Sequence, residues 1–166
     1  MAKQQPILKA DDLSKRYEDG VLALDHLNLE VRPGEVYCLL GANGAGKTTT
    51  INLFLNFIPP TTGTCYVNGI DVTKDPLEAK KYVSFVSENV MLYGNFTARQ
   101  NLDFFAKLGG KTNLTKNDYY QVMRRVSLQE KAFEQRVKTF SKGMRQKLGI
   151  SIAIIKDAVA KVSQII

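Results

Sequence analysis

One eight-residue stretch, Gly41-Ala42-Asn43-Gly44-Ala45-Gly46-Lys47-Thr48, narrows the possible folds of this chain more than any other feature. It fits the spacing G-x-x-x-x-G-K-[ST]. Such a loop wraps an anion with successive backbone N–H groups, so side chains have to be absent where the backbone approaches closely. An apolar, strand-like run, Glu35-Val36-Tyr37-Cys38-Leu39-Leu40, precedes the loop, and a helix-like run from Thr49 to Leu55 follows it. In a strand–loop–helix unit the positive end of the helix points at the bound group. Lys47 then reaches β- and γ-phosphates as a point charge, Thr48 offers a hydroxyl to Mg²⁺, and Thr49 donates on the α-phosphate side. The plainer alternative is a glycine-rich turn that binds nothing, and the flanking runs weigh against it.

The chain has 166 residues, enough for one domain with a core of its own. The net charge of +7 suits an anionic ligand, and equally a membrane surface, nucleic acid, or charge spread over solvated faces. Cys38 lies in a run that reads as a buried strand and Cys65 in a second short strand. They have no metal-site or disulfide pattern, which points to a reducing cytoplasm. No run of 18 apolar residues exists, and Met1 to Lys9 lack a signal-peptide core.

Along the chain, Ile7 to Leu13 reads as a strand and Lys15 to Gly20 as a turn. Leu27, Leu29 and Val31 alternate with polar residues, as in a half-buried strand, and Arg32-Pro33-Gly34 is a turn. Pro59 to Gly63 breaks the helix after the glycine loop. Thr64 to Val67 is a short strand, Asn68-Gly69 a hairpin turn, and Tyr82 to Val86 another strand. Helices follow: Thr97 caps one from Ala98 to Leu108 that Gly109-Gly110 stop, and Thr115 caps a second containing Tyr119, Tyr120, Val122, Met123 and Val126. A third runs from about Gly143 to Ile155. Strands first and helices second predict a sheet core bearing a helical subdomain.

A second motif, Phe140-Ser141-Lys142-Gly143-Met144-Arg145-Gln146, lies well beyond the glycine loop. It resembles the signature sequence L-S-G-G-Q of ABC-type ATPases. With Tyr17, the loop Gly41 to Thr50 and the stretch from Tyr82 to Leu102, the chain resembles the ATP-binding subunit of an ABC transporter over about residues 7 to 157. It is most similar to exporter-type subunits whose signature reads S-K-G-M-R-Q. The resemblance implies an α/β fold, a P-loop NTPase mixed sheet core with an antiparallel β part and a helical subdomain. Residues 1–88 would hold the nucleotide core, 89–145 the helical subdomain and 158–166 an atypical tail. It implies ATP and Mg²⁺ as cofactors. Tyr17 would stack on adenine, Gly41, Asn43, Gly44, Ala45, Gly46, Lys47, Thr48 and Thr49 would hold phosphates and Mg²⁺, and Ser141 and Gly143 would touch the γ-phosphate bound by an opposite subunit. A second ABC ATPase subunit, in a homo- or heterodimer, and a transmembrane permease are the implied partners. No nucleic acid is expected, and the implied place is the cytoplasmic face of the membrane.

Two departures temper the resemblance. Glu88 stands where the family carries a Gln that senses Mg²⁺ and the attacking water. Its oxygen can still ligate Mg²⁺, so altered coupling is expected rather than lost binding. The family pattern also stops near Lys156-Asp157. No Asp or Glu follows Asp157, so the Mg²⁺-holding Asp and catalytic Glu have no counterpart, and His26, the single histidine, is poorly placed as the switch His. These gaps predict a fold lacking the C-terminal part of its core and slow hydrolysis, because phosphoryl transfer depends on positioned carboxylates. The alternative is a non-hydrolysing nucleotide-binding or interaction module, or a truncated product without function.

Overall fold

The computed structural model describes residues 5–87, 90–157 and 160–163. The chain divides into two compact units, Met1–Ser84 and Phe85–Ile166.

In the first unit, strand β1 (Leu8–Arg16) is bonded on both sides, antiparallel to β2 (Leu22–Val31) and to β3 (Thr62–Val67). With β4 (Ile70–Asp71) the sheet order is β2-β1-β3-β4. A strand exposes alternate residues, yet the buried positions of β1 include Ala10 and Leu13, which are out of step. A register shift between them accounts for this. Asp12 (φ 49) and His26 (φ 47) take left-handed backbone there, and the Asp12 N–H donates to Asn28 Oδ1 while the His26 N–H donates to Ser14 Oγ. The bulge thereby turns Leu13 into the core, where it packs with Leu53 and Phe54 of helix α1 (Lys47–Phe54), Cys65, Val67 and Val72. Asn68-Gly69 joins β3 to β4 with left-handed φ at both residues, the requirement of the tight hairpin turn read from the sequence. A short helix α2 (Pro76–Ala79), capped by the Asp75 carboxylate, completes the unit.

Two sequence expectations fail in this unit. Lys15 and Arg16 belong to β1 rather than to a turn, because they pair with Leu24 and Leu22 and the Arg16 N–H donates to Thr61 Oγ1. The turn begins at Tyr17, whose N–H donates to the Val21 carbonyl. The run Glu35 to Leu40 forms no strand. Val36 is 96 % and Leu40 90 % exposed, and Cys38, read as buried, is exposed too. Strand propensity is realised only where a neighbouring strand takes up the backbone N–H and C=O groups, and among the described residues no strand pairs with this run.

The second unit is helical. α3 (Ala98–Leu108) and α4 (Lys116–Arg125) both start with a capping box: Thr97 with Gln100, and Thr115 with Asp118. α5 (Lys142–Ile155) is capped by Ser141. Their buried faces meet around Leu102, Met123, Phe133, Val137 and Leu148. β5 (Val83–Val86) and β6 (Ala160–Ser163) form a two-stranded sheet, so part of the tail read as atypical is a strand.

Two polar groups organise this unit. Asn101, fully buried, accepts from the Tyr93 N–H at 2.9 Å and donates to the Tyr93 and Thr97 carbonyls at 3.0 Å each. Glu134 accepts from Arg99 Nε and Tyr120 Oη, both at 2.8 Å, with Lys116 Nζ at 3.7 Å. Burial works to raise its pKa, but the Tyr120 and Arg99 hydrogen bonds and the Arg99 and Lys116 charges outweigh it and hold the carboxyl below its ordinary value.

Replacing Asn101 with Leu leaves the Tyr93 N–H and C=O without these bonds. We expect a loss of roughly 1–3 kcal/mol in urea unfolding, from the loss of these part-buried hydrogen bonds. For Glu134, a lowered folded pKa means that the stabilisation is present above the unfolded value of about 4.3 and disappears as pH falls through the lower folded value. The melting temperature of the native chain should therefore drop more steeply on acidification below about pH 4.3 than that of Glu134→Gln. Parallel curves would show that the carboxylate contributes nothing to the acid limb.

Candidate functional site

The glycine loop is shaped by one close approach. Gly46 precedes α1 with φ +79, and a Cβ placed there would lie 2.4 Å from the Ala23 carbonyl oxygen of β2. Neither the backbone angle nor the space admits a side chain. Gly44 also takes a left-handed φ (+87) but faces open space, so there the angle alone selects glycine. The Ala45 N–H donates to the Ala42 carbonyl, closing a turn inside the loop. Gly41, Asn43, Gly44 and Ala45 are exposed, while Gly46 is buried.

Lys47 folds its ammonium back onto the loop, donating to the Gly41 and Ala42 carbonyls at 2.6 and 2.7 Å. It makes no ion pair among the described residues, so its charge is available to an anion. The residue before α1 is a glycine and supplies no side-chain cap to the first turn, which leaves that end suited to an external acceptor. Thr48 is exposed on the same turn. Thr49 and Thr50 are buried, and Thr50 Oγ1 donates to the Gly46 carbonyl at 2.9 Å, pinning the helix start.

Tyr17 joins this group through its hydroxyl, 3.3 Å from Thr49 Oγ1. Lys15 Nζ lies 5.5 Å from the centre of its ring and donates to the Pro59 carbonyl. The structure therefore brings Tyr17, Lys47, Thr48 and Thr49 to one end of the first unit. The sequence reading omitted Lys15 and Ala23. Lys15 was read as part of a turn, and its place beside the Tyr17 ring follows from the extension of β1 through Arg16. Ala23 contributes only a carbonyl, which no sequence pattern shows.

The remaining candidates lie elsewhere. Ser141 is the N-cap of α5, accepting from the Met144 N–H at 3.3 Å. Gly143 follows in the first turn, and among the described residues nothing beyond the helix's own backbone lies within 4 Å of a Cβ built on it. Glu88 lies outside the described residues. His26 sits in β2 with Nδ1 2.7 Å from Asp12 Oδ1, and that hydrogen bond, with the Asp12 and Asp25 charges, raises its pKa. This partnership serves the bulge and brings no imidazole to the loop. Cys65, its thiol pushed up to about 12 by burial, is a core residue.

The residues present fit a polyphosphate: a side-chain-free cradle, an uncapped helix start and one cation. They fit Mg²⁺ through a hard hydroxyl oxygen at Thr48, with phosphate oxygens supplying the further ligands. Among the described residues no cluster of His, Cys, Asp and Glu could hold a metal alone, so the ion would arrive with the phosphates. No described helix is long and apolar enough to cross a membrane.

Replacing Gly46 with Ala should lower stability by at least about 1–2 kcal/mol from the left-handed backbone alone, with the Ala23 clash added. Gly44→Ala should cost only the backbone part. Thermal denaturation of both variants separates the two contributions, and equal losses would mean that the Ala23 contact relaxes freely.

The family model described as ABC transporter matches residues 24–160. Over 149 residues the chain is 40 % identical to the bacitracin transport ATP-binding protein BcrA of Bacillus licheniformis, covering 90 % of this chain and 47 % of BcrA. It is 35 % identical to the ABC transporter ATP-binding protein NatA of Bacillus subtilis over 156 residues, covering 88 % of this chain and 61 % of NatA. The chain thus spans about half the length of these relatives. Among solved structures, the dimeric bacterial ABC transporter cassette MJ0796 superposes with a TM-score of 0.81 at 22 % identity, covering 94 % of this chain and 72 % of that one. At that identity the likeness speaks for the fold.

Proposed function

Because the chain belongs to the ABC transporter family, we propose that it binds ATP with Mg²⁺ at the loop Gly41 to Thr49 and serves as an ATP-binding subunit that powers export through a separate membrane permease. Lys47 carries this reading. Its ammonium sits on the loop carbonyls, unpaired with any described acid, beside a glycine cradle that its own backbone keeps free of side chains.

In this reading the backbone of residues 41–47 encloses the phosphates, and Lys47 turns from the carbonyls towards the β- and γ-phosphates. Thr48 would hold Mg²⁺ from the protein side through its hydroxyl, and the ion would supply neutralisation of phosphate charge. Tyr17 offers a ring face to adenine while its hydroxyl contact with Thr49 ties that ring to the helix carrying the phosphates. Glu88, at the family's Gln position, would add a second oxygen ligand.

Ser141 and Gly143 serve a second ABC ATPase subunit, as a homo- or heterodimer. Glycine in a helix costs roughly 0.5–1 kcal/mol relative to alanine. Among the described residues nothing beyond the helix's own backbone lies within 4 Å of a Cβ at position 143, so packing there gives no reason for glycine. Close approach of an anion from outside the chain does. The relatives named as transport ATP-binding proteins support a permease partner.

Calorimetric titration with ATP and Mg²⁺ tests the core of the proposal. Lys47→Ala should weaken binding by about tenfold or more, as loss of a charge-assisted contact implies. An unchanged affinity in a folded variant would remove the loop from the binding site.

A further inference from the structure

Lys15 is half-buried, and its ammonium has two partners in the first unit. It donates to the Pro59 carbonyl at 2.7 Å, and it lies over the Tyr17 ring, 5.5 Å from the centre. Among the described residues no carboxylate pairs with it. A lysine left in water keeps its hydration and its rotamer freedom. This one gives up part of both to span from a loop carbonyl to an aromatic face.

The backbone around it is fixed from far along the chain. The Thr61 N–H donates to the Ser14 carbonyl at 2.9 Å. The Arg16 N–H donates to Thr61 Oγ1 at 2.9 Å, and that hydroxyl donates to the Arg16 carbonyl at 3.2 Å. Beyond Arg16 the chain turns: the Tyr17 N–H donates to the Val21 carbonyl and the Gly20 N–H to the Tyr17 carbonyl. These bonds set the backbone of Tyr17 and leave its side-chain torsions open. Two further contacts close them. The Tyr17 hydroxyl meets Thr49 Oγ1 near the start of α1, and the Lys15 ammonium covers the ring from its anchor at Pro59, past the end of α1. The ring is thus held at its edge from one end of the helix and on a face from the other. It remains 37 % exposed, which leaves surface for a ligand.

We propose that Lys15 is a positioning residue for the nucleotide base: it holds the Tyr17 ring in the orientation that stacks on adenine, with the cation on one face and the base on the other. The inference rests on the nucleotide reading of the loop and of Tyr17. A ring face is negative and attracts a cation electrostatically. Releasing that contact lowers the fraction of chains whose ring stands ready to stack, and the apparent dissociation constant rises by the same factor. For a cation over a partly exposed ring the factor is about 2–5-fold. Neither contact of the ammonium involves the glycine loop, so the phosphate end of the ligand is unaffected.

Calorimetric titration of the full chain with ATP and Mg²⁺, and separately with inorganic tripolyphosphate and Mg²⁺, gives a ratio of affinities that isolates the base from the phosphates. Lys15→Met keeps the stem and removes the charge. It should lower the ratio about 2–5-fold by weakening ATP alone, while Lys15→Arg, which keeps a cation over the ring, should hold the native ratio. Tyr17→Ala should lower the ratio at least as far. If Tyr17→Ala leaves the ratio unchanged, the ring has no part in base binding, and the stacking reading falls together with this inference. If Tyr17→Ala lowers the ratio and Lys15→Met does not, stacking stands and the inference alone is overturned. Equal weakening of ATP and tripolyphosphate by Lys15→Met would also overturn it, since that is the effect of removing a nearby positive charge. Should Lys15→Met lose its fold, Lys15→Gln decides by the same ratio.

Discussion

The first unit turns on the contact between the Ala23 carbonyl and Gly46. A strand and a helix start meet there with no side chain between them, and everything the loop does follows from that distance. Because Gly46 cannot move away without losing its left-handed backbone and the Thr50 hydroxyl bond to its carbonyl, α1 begins at a fixed place relative to β2. β2 is held by β1, and β1 by the bulge at Asp12 and His26, whose spare backbone donors are satisfied by Asn28 and Ser14. A chain of short-range backbone constraints thus reaches from the sheet interior to the lysine that faces an anion.

The second unit distributes charge differently. Glu134 gathers Arg99, Tyr120 and Lys116, so a single carboxylate joins the starts of α3 and α4. Pairing of this kind at half-exposed positions contributes modestly to stability and more to which faces meet.

Much of this was legible in the sequence, for identifiable reasons. The caps at Thr97 and Thr115, the stop at Gly109-Gly110 and the Asn68-Gly69 turn are local chemistry, and they fall where residue type places them. The glycine loop and Tyr17 follow from spacing and resemblance. What failed was non-local. Glu35 to Leu40 has strand composition, but a strand needs a neighbour, and composition does not reveal one. The extension of β1 through Arg16 depends on Thr61, far along the chain. Gly46 was assigned to phosphate binding, yet its strictest constraint is the Ala23 carbonyl, a backbone atom without a sequence signature. Ser141 proved to be a helix cap, which leaves room for a further role without demanding one.

Asn101 has a consequence for how the second unit opens. By gripping both the N–H and the carbonyl of Tyr93, its side chain makes an irregular segment behave as an additional turn of α3. Local fluctuations normally release loops well before helices. Here the Tyr93 amide can exchange its hydrogen only when the buried carboxamide lets go, and that requires α3 to move. The loop and the helix therefore belong to one cooperative unfolding unit, and the aromatic rings packed around Tyr93, Phe96, Phe104 and Phe105, keep their mutual geometry for as long as that helix lasts.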